Sequence, residues 1–315
     1  MRRARRPPRG GLPHGGRARL DPPRARPGIG LARRRLRAPD PARGDRAGAG
    51  PFGGYGRGGG RGSARGDPVV RKFLAIVGRE WRAYFFSPLA YVILAAFLLM
   101  NGMIFAAIVS FLNTPGAPKG QALPFLFTNT YFWIFNLFVV PIITMRLFAE
   151  ERKSGTIETL LTSPVSETTV VLGKFTGALG FFLTLWAPTL VYVLILRSQT
   201  PIDLGPVAAG YLAIALIGAY FLSIGTFAST LTKNQIVAAI LAFAMLIPVF
   251  SAGLLESLSN DPGKRDTLGY LNLWDHMEEF SRGVVDTRRV VYYLSATAFF
   301  LFLTTVTLSA KKETP

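Results

Sequence analysis

From residue 71 onward the apolar positions follow two patterns. The first is helical. At 100° per residue, Phe73, Leu74, Ile76, Val77, Trp81, Tyr84 and Phe85 fall on one broad face, and Arg71, Lys72, Arg79 and Arg82 on the other. This predicts an amphipathic helix over 71–86, with an aromatic face opposite a cationic one, suited to lie in a membrane interface. Glu80 interrupts the apolar side between Phe73 and Ile76. A carboxylate there needs a basic or helix-terminal partner, unless it reaches water. The second pattern is apolar all round. After Ser87-Pro88 come six runs long enough to cross a bilayer, roughly Leu89–Leu112, Pro124–Phe148, Thr169–Leu196, Pro206–Leu231, Gln235–Leu255 and Val290–Ser309. None is charged in its central portion, and Arg146 and Lys174 sit near ends, where they can snorkel. Pro141, Pro188 and Pro248 fall inside spans, which membrane helices tolerate. The fold class is therefore an all-α polytopic membrane protein of six transmembrane helices, with an N-terminal interfacial helix.

Basic residues orient this array. Arg71, Lys72, Arg79, Arg82, Arg146, Arg152, Lys153, Lys174, Lys233, Lys311 and Lys312 share one side if there are six spans, so both termini are expected in the cytoplasm. The opposite side holds Lys119 and Arg197 in its first two loops. Its last loop, about 256–289, mixes five basic residues with seven acidic ones and is expected to carry a short helix near 272–284. Mid-span polar residues are few: Asn101, Asn129, Asn136, Thr144, Thr184, Thr189, Ser223 and Thr226. No chain of intramembrane acids suggests a proton relay. Gly173, Gly177 and Gly180 recur at spacings of three and four, which permits close helix approach.

Charge changes the picture only at the start of the chain. Of a formal net charge of +18, residues 1–68 contribute about +14, in a low-complexity stretch of Arg, Gly, Pro and Ala. Such a composition is expected to stay disordered. With only Phe52 and Tyr55 available near its Arg-Gly tract, nucleic acid is not expected as a partner. It lacks the apolar core of a signal peptide. Three readings stay open: attraction to anionic lipid or nucleic acid, an inert tail, or a start at Val69 or Val70. The last is the one expected, and N-terminal sequencing checks it. The organisation is then a tail over 1–68 and a transmembrane domain over 69–315. The absence of cysteine excludes disulfides and thiolate metal sites. His14 and His276 stand apart without a ligand cluster, so no metal site is expected.

The connection between spans two and three carries the most information. It reads Arg146-Leu-Phe-Ala-Glu150-Glu151-Arg152-Lys153-Ser-Gly155-Thr156-Ile157-Glu158-Thr-Leu160-Leu161-Thr-Ser-Pro164. Charge is packed at the membrane surface, and Ser154-Gly155 breaks the helix leaving span two. A short amphipathic helix with Ile157, Leu160 and Leu161 on one face is expected to follow. Ser166 can cap span three, with Glu167 in its first turn. Such an element can pass a push from a soluble partner to the membrane helices.

This stretch resembles the ABC-2 family of ABC-transporter permeases, whose most recognisable motif is the Glu-Arg-Lys-Ser-Gly-Thr…Glu-Thr-Leu-Leu-Thr-Ser-Pro pattern. Arg79-Glu80-Trp81-Arg82…Pro88 before span one is similar to the family as well. So is His276-Met-Glu-Glu-Phe280-Ser-Arg282-Gly283-Val-Val-Asp286 before span six. The resemblance covers about 70–310 and looks like the subgroup of gliding-motility-type and copper/nitrous-oxide-reductase-maturation permeases. It implies six spans, a second permease subunit as homo- or heterodimer, and two ATPase subunits docked on 150–164. The chain has no Gly-x-x-x-x-Gly-Lys-Ser/Thr phosphate loop. No cofactor is therefore expected in this chain, and ATP and Mg belong to the partner. The implied role is non-enzymatic, a permease subunit in the bacterial inner membrane, with an exporter's direction and an extracytoplasmic auxiliary protein as a further candidate partner. Glu150, Glu151, Arg152 and Lys153 would set docking by charge, and Ile157, Leu160 and Leu161 would fill a groove on the ATPase. The rival reading is a non-transporting scaffold that anchors a motility, secretion or maturation complex.

Overall fold

Among the described residues, six helices, or pairs of helices in line, are long and apolar enough to cross a membrane. They run Pro88–Leu112, Thr130–Ser154, Glu167–Ser198, Leu204–Leu231, Gln235–Leu258 and Thr287–Ala310. The computed structural model describes residues 68–116, 122–156, 166–199, 203–259 and 261–313, and among these there is no strand. The elements are α1 (Pro68–Phe85), α2 (Pro88–Leu112, span one), α3 (Ala122–Thr128), α4 (Thr130–Thr144) and α5 (Ala149–Ser154). They continue with α6 (Glu167–Trp186), α7 (Thr189–Gln199), α8 (Leu204–Leu231, span four) and α9 (Gln235–Leu258, span five). The chain closes with α10 (Pro262–Gly269), α11 (Leu273–Ser281) and α12 (Thr287–Glu313, span six). Span two joins α4 to α5, and span three joins α6 to α7.

Polar residues decide where these helices start. Asn129, Ser166, Asp203, Asn234 and Asn272 each turn a side-chain oxygen onto a backbone N–H of the first turn, satisfying a donor the helix cannot. Asn129 corrects one expected boundary. The run from Pro124 is not continuous, because Asn129 accepts from Phe132 N at 2.9 Å and donates to the Leu126 carbonyl at 2.8 Å, closing α3 and opening α4. Span three is likewise divided, with a turn at Ala187-Pro188 between α6 and α7, since proline cannot donate to the helical ladder. Pro141 and Pro248 remain inside helices.

Span four is the central post. Its most apolar window is 72 % buried, against 22 % for spans five and six. Small residues let neighbours approach it: a Cβ at Gly218 would lie 2.2 Å from the Phe182 ring, and one at Gly225 2.2 Å from Thr144 Oγ1. Leu99, Met103, Phe138, Ile240, Leu254 and Phe302 point outward and exposed, as lipid-facing residues do. The mid-span polar groups mostly satisfy their own helices. Asn101, Asn136, Thr144, Thr184, Thr189, Ser223 and Thr226 all donate to the carbonyl three or four residues back. They serve packing in an apolar interior.

Candidate functional site

Two segments that the sequence singles out, 79–82 and 150–156, meet at one end of the bundle. α1 lies along α6, which presents glycines to it. A Cβ at Gly173 would come within 2.7 Å of Ile76, and one at Gly177 within 2.7 Å of Glu80 Cβ. This contact brings Glu80 over Lys174, which lies between these two glycines on α6. Lys174 is not snorkelling: its side chain is 2 % exposed. Its Nζ donates to Glu80 Oε1 at 3.1 Å and lies 2.9 Å from Glu151 Oε1. Arg79 Nη2 spans the same two oxygens, at 2.9 Å from Glu80 and 3.5 Å from Glu151. Two nitrogens and two carboxylate oxygens thus alternate in a closed ring. Lys174 forms its inner corner and Arg79, 56 % exposed, its outer one. Burying an ammonium is tolerable only with such pairing. Glu80, the anomaly on the apolar face of α1, is the partner that supplies it.

α5 is held by a second set of bonds. After α4 the chain turns at 145–148, leaving backbone groups without helical partners. Ser229 of span four meets them: its Oγ accepts from Phe148 N at 3.0 Å and Ala149 N at 3.2 Å and donates to the Met145 carbonyl. Arg152 reaches the other way and donates to the Thr230 carbonyl at the C-terminal end of span four, where a cation is favoured. α5 stops at Gly155, whose φ of +73° is open to glycine and strained for other residues. The four charges therefore divide. Glu151 and Arg152 are turned inward, whereas Glu150 and Lys153 stay exposed. Thr156 Oγ1 contacts Ser154 Oγ at 2.9 Å. Ile157, Glu158, Leu160, Leu161 and Pro164 lie outside the described residues. Beside the ring opens a cavity of about 420 Å³, lined by both its acids and both its cations, by Glu150, and by Arg146, whose guanidinium lies 4.7 Å above the Tyr84 ring. Tyr84 in turn donates to the Ile143 carbonyl at 2.9 Å. Trp81 and Arg82 face outward and exposed, and Pro88 opens span one.

At the opposite end α11 is inserted against the spans. Phe280 and His276 are fully buried, and Trp274 stacks 4.9 Å from Trp133. His276 Nε2 lies 2.6 Å from Arg289 Nη1, and its Nδ1 lies 2.9 Å from the Tyr293 hydroxyl. Burial, and then the Arg289 guanidinium, push the imidazole pKa down to about 4, against a smaller pull from Asp286. Arg289 also pairs with Glu279 at 3.3 Å. Gly283, at φ +86°, packs against Pro206. Asp286 accepts from Arg288 N at 2.8 Å, and Arg282 pairs with Glu278 on the surface. Among the described residues no group of three or more His, Asp or Glu side chains could hold a metal.

The chain matches the family described as "ABC-2 family transporter protein" over residues 109–274. It belongs to the ABC-2 transporter family. The matched stretch runs from the end of span one to the start of α11. It includes the whole of α5 and Lys174, but neither Arg79-Glu80 nor His276–Asp286. Within this ABC-2 protein, 146 residues are 27 % identical to the probable multidrug ABC transporter permease YbhR of Escherichia coli K12, and the same protein of E. coli O157:H7 matches equally. That alignment covers 46 % of this chain and 39 % of the relative, so the chain spans about two fifths of the length of the curated relatives it matches. The chain is thus a multi-pass membrane protein of a transporter family. Lys174 is the site residue that sequence reasoning missed. The signal was present in Glu80, a carboxylate on an apolar face for which a basic partner was one of the readings left open.

Proposed function

We propose that this ABC-2 protein is the permease subunit of an ATP-driven transporter in the bacterial inner membrane, working as an exporter with both termini cytoplasmic. A separate ATPase subunit would dock on α5 and the segment through Pro164, and a second permease subunit would complete the path. The observation that carries this reading is α5 itself. It lies inside the family match and presents Glu150 and Lys153 outward. It is tied to two spans at once, through Ser229 and Arg152 to span four and through Glu151 to span three. A push on such an element reaches the bundle without being absorbed by a loop. ATP binding on the partner would draw α5 inward and hydrolysis would release it, alternating access across the spans. The His276–Asp286 segment supports the gliding-motility-type and copper/nitrous-oxide-reductase-maturation subgroup. The similarity to the probable multidrug ABC transporter permease YbhR makes drugs the first substrates to screen.

Purification of the tagged protein in mild detergent tests this. A stoichiometric ATPase subunit is expected with the wild type and not with Gly155→Pro, since proline cannot adopt φ +73°, nor with Leu160→Asp. Recovery of extracytoplasmic proteins and no ATPase at any detergent strength would instead favour the scaffold.

A further inference from the structure

We infer that Lys174 is a positioning residue that makes α1 and α5 move as one body, so that a push on α5 is delivered to the amphipathic helix as well as to the spans. This rests on the reading of α5 as the element the ATPase drives. α1 lies before span one and α5 at the end of span two, yet they touch span three at one point, and their carboxylates share one nitrogen. Lys174 Nζ lies 3.1 Å from Glu80 and 2.9 Å from Glu151. Arg79 closes the ring from the outside, but water and salt screen a cation that is 56 % exposed. The 2 %-exposed ammonium is shielded from both, so it carries the tie.

The geometry around it fits that role. Gly173 and Gly177 flank Lys174 on the helix and let α1 lie against the α6 backbone. The ammonium can therefore reach both acids without a long excursion. One of its donors is then engaged by Glu80, and the same ammonium is ion-paired with Glu151 on a different element. Without Lys174, Glu80 and Glu151 would face each other as like charges bridged only by a screened arginine, and α1 and α5 would keep their separate contacts to α6 and span four but lose the buried tie between them. With it, displacing Glu151 draws Lys174 and Glu80 along, and α1 follows.

The chain contains no cysteine, so Ala75→Cys on α1 and Ser154→Cys on α5 give a single pair of spin labels in the full-length protein. Pulsed dipolar spectroscopy in nanodiscs should read one narrow separation. Lys174→Met should broaden that distribution about twofold and lengthen it, and adding Glu151→Gln should restore most of it by removing one of the repelling charges. If Lys174→Met does not accumulate, Glu80→Gln should give an intermediate broadening. An unchanged distribution in the variant examined overturns the inference, and this arm needs no ATPase, so it is decided even if the docking reading fails. In the complex with the co-purified ATPase, ATP should leave the wild-type α1–α5 separation fixed while the distance from Ala75→Cys to Leu254→Cys shifts. In Lys174→Met the α1–α5 separation should itself change with ATP. An α1–α5 separation that already changes with ATP in the wild type overturns the inference, and a merely structural lysine would not produce the nucleotide-dependent difference.

Discussion

The two ends of the bundle bury polar groups in opposite ways. At the end that carries α5, the ammonium of Lys174 is satisfied by a carboxylate 94 residues away in sequence and by another on a third element. At the other end, His276 is satisfied by Arg289 and Tyr293, 13 and 17 residues away. The first cluster links three elements that are far apart in sequence, and it uses full charges of both signs. The second closes a local corner between α11 and span six and keeps its imidazole neutral. Because a guanidinium has no acceptor, His276 Nε2 must accept from Arg289, so Nδ1–H donates to the Tyr293 hydroxyl. One end is a joint made from ion pairs, suited to transmitting force between helices. The other is a cap whose integrity depends on one protonation state.

If that contrast is right, removing the inner cation is the most damaging single change. Lys174→Met keeps the stem and leaves the partly buried Glu80 and Glu151 without their main counter-charge. A loss of about 3–5 kcal/mol is expected for breaking a buried pair from one side. Unfolding of the detergent-solubilised protein, followed by tryptophan fluorescence, measures it. A loss below about 1 kcal/mol would place the ring among ordinary surface pairs and erase the distinction between the two ends.

The cap should show itself through pH. The folded pKa of His276 is lowered to about 4 from 6.5. Between those values the unfolded chain holds a proton that the folded chain refuses. Stability from this residue is therefore complete above about pH 6.5 and falls as pH drops towards 4, at up to about 1.4 kcal/mol per unit and roughly 3 kcal/mol in all. His276→Gln should flatten stability across that window at a constant salt concentration. Asp275 nearby, raised by burial and by Glu256, Glu278 and Glu279, adds a slope of the opposite sign closer to the carboxylate range. His276→Gln leaves it in place, so a slope that survives the substitution unchanged would assign the pH response elsewhere.

Much of this arrangement was legible in the order of residues. Twenty-residue apolar runs can only be spans in a bilayer. The glycines at 173 and 177 signalled that a helix would approach α6, although not which helix. Glu80 signalled a basic or helix-terminal partner, or a reach to water, without choosing among them. Boundaries were harder to read. Asn129 is a mid-run polar residue by composition, and only its bonds to Phe132 N and the Leu126 carbonyl make it the break between α3 and α4. The partner of Glu80 could not be read either. Lys174 lies near a span end, where snorkelling to water satisfies a lysine equally well, and the choice between water and two acids depends on how α1 folds back. Arg152 reads as a docking charge, and its bond to the Thr230 carbonyl depends on where span four lies. In each case the local signal was present, and the partner was set by helix packing, which spacing along one chain does not encode.

The smallest effect is the one that sharpens the contrast within the ring. Arg79 bonds the same two carboxylate oxygens as Lys174, so a count of contacts would rank the two cations alike. Exposure ranks them differently, because an ion pair open to water gains little Coulomb energy and gives up side-chain freedom to form. Arg79→Ala is therefore expected to cost about 0–1 kcal/mol at low salt, and less as salt rises towards molar, where screening acts within a few ångströms. The same salt titration applied to Lys174→Met should leave its larger deficit nearly intact. If instead the two substitutions weaken the protein equally, and salt abolishes both deficits, the ring is solvated throughout and its inner corner is no drier than its outer one.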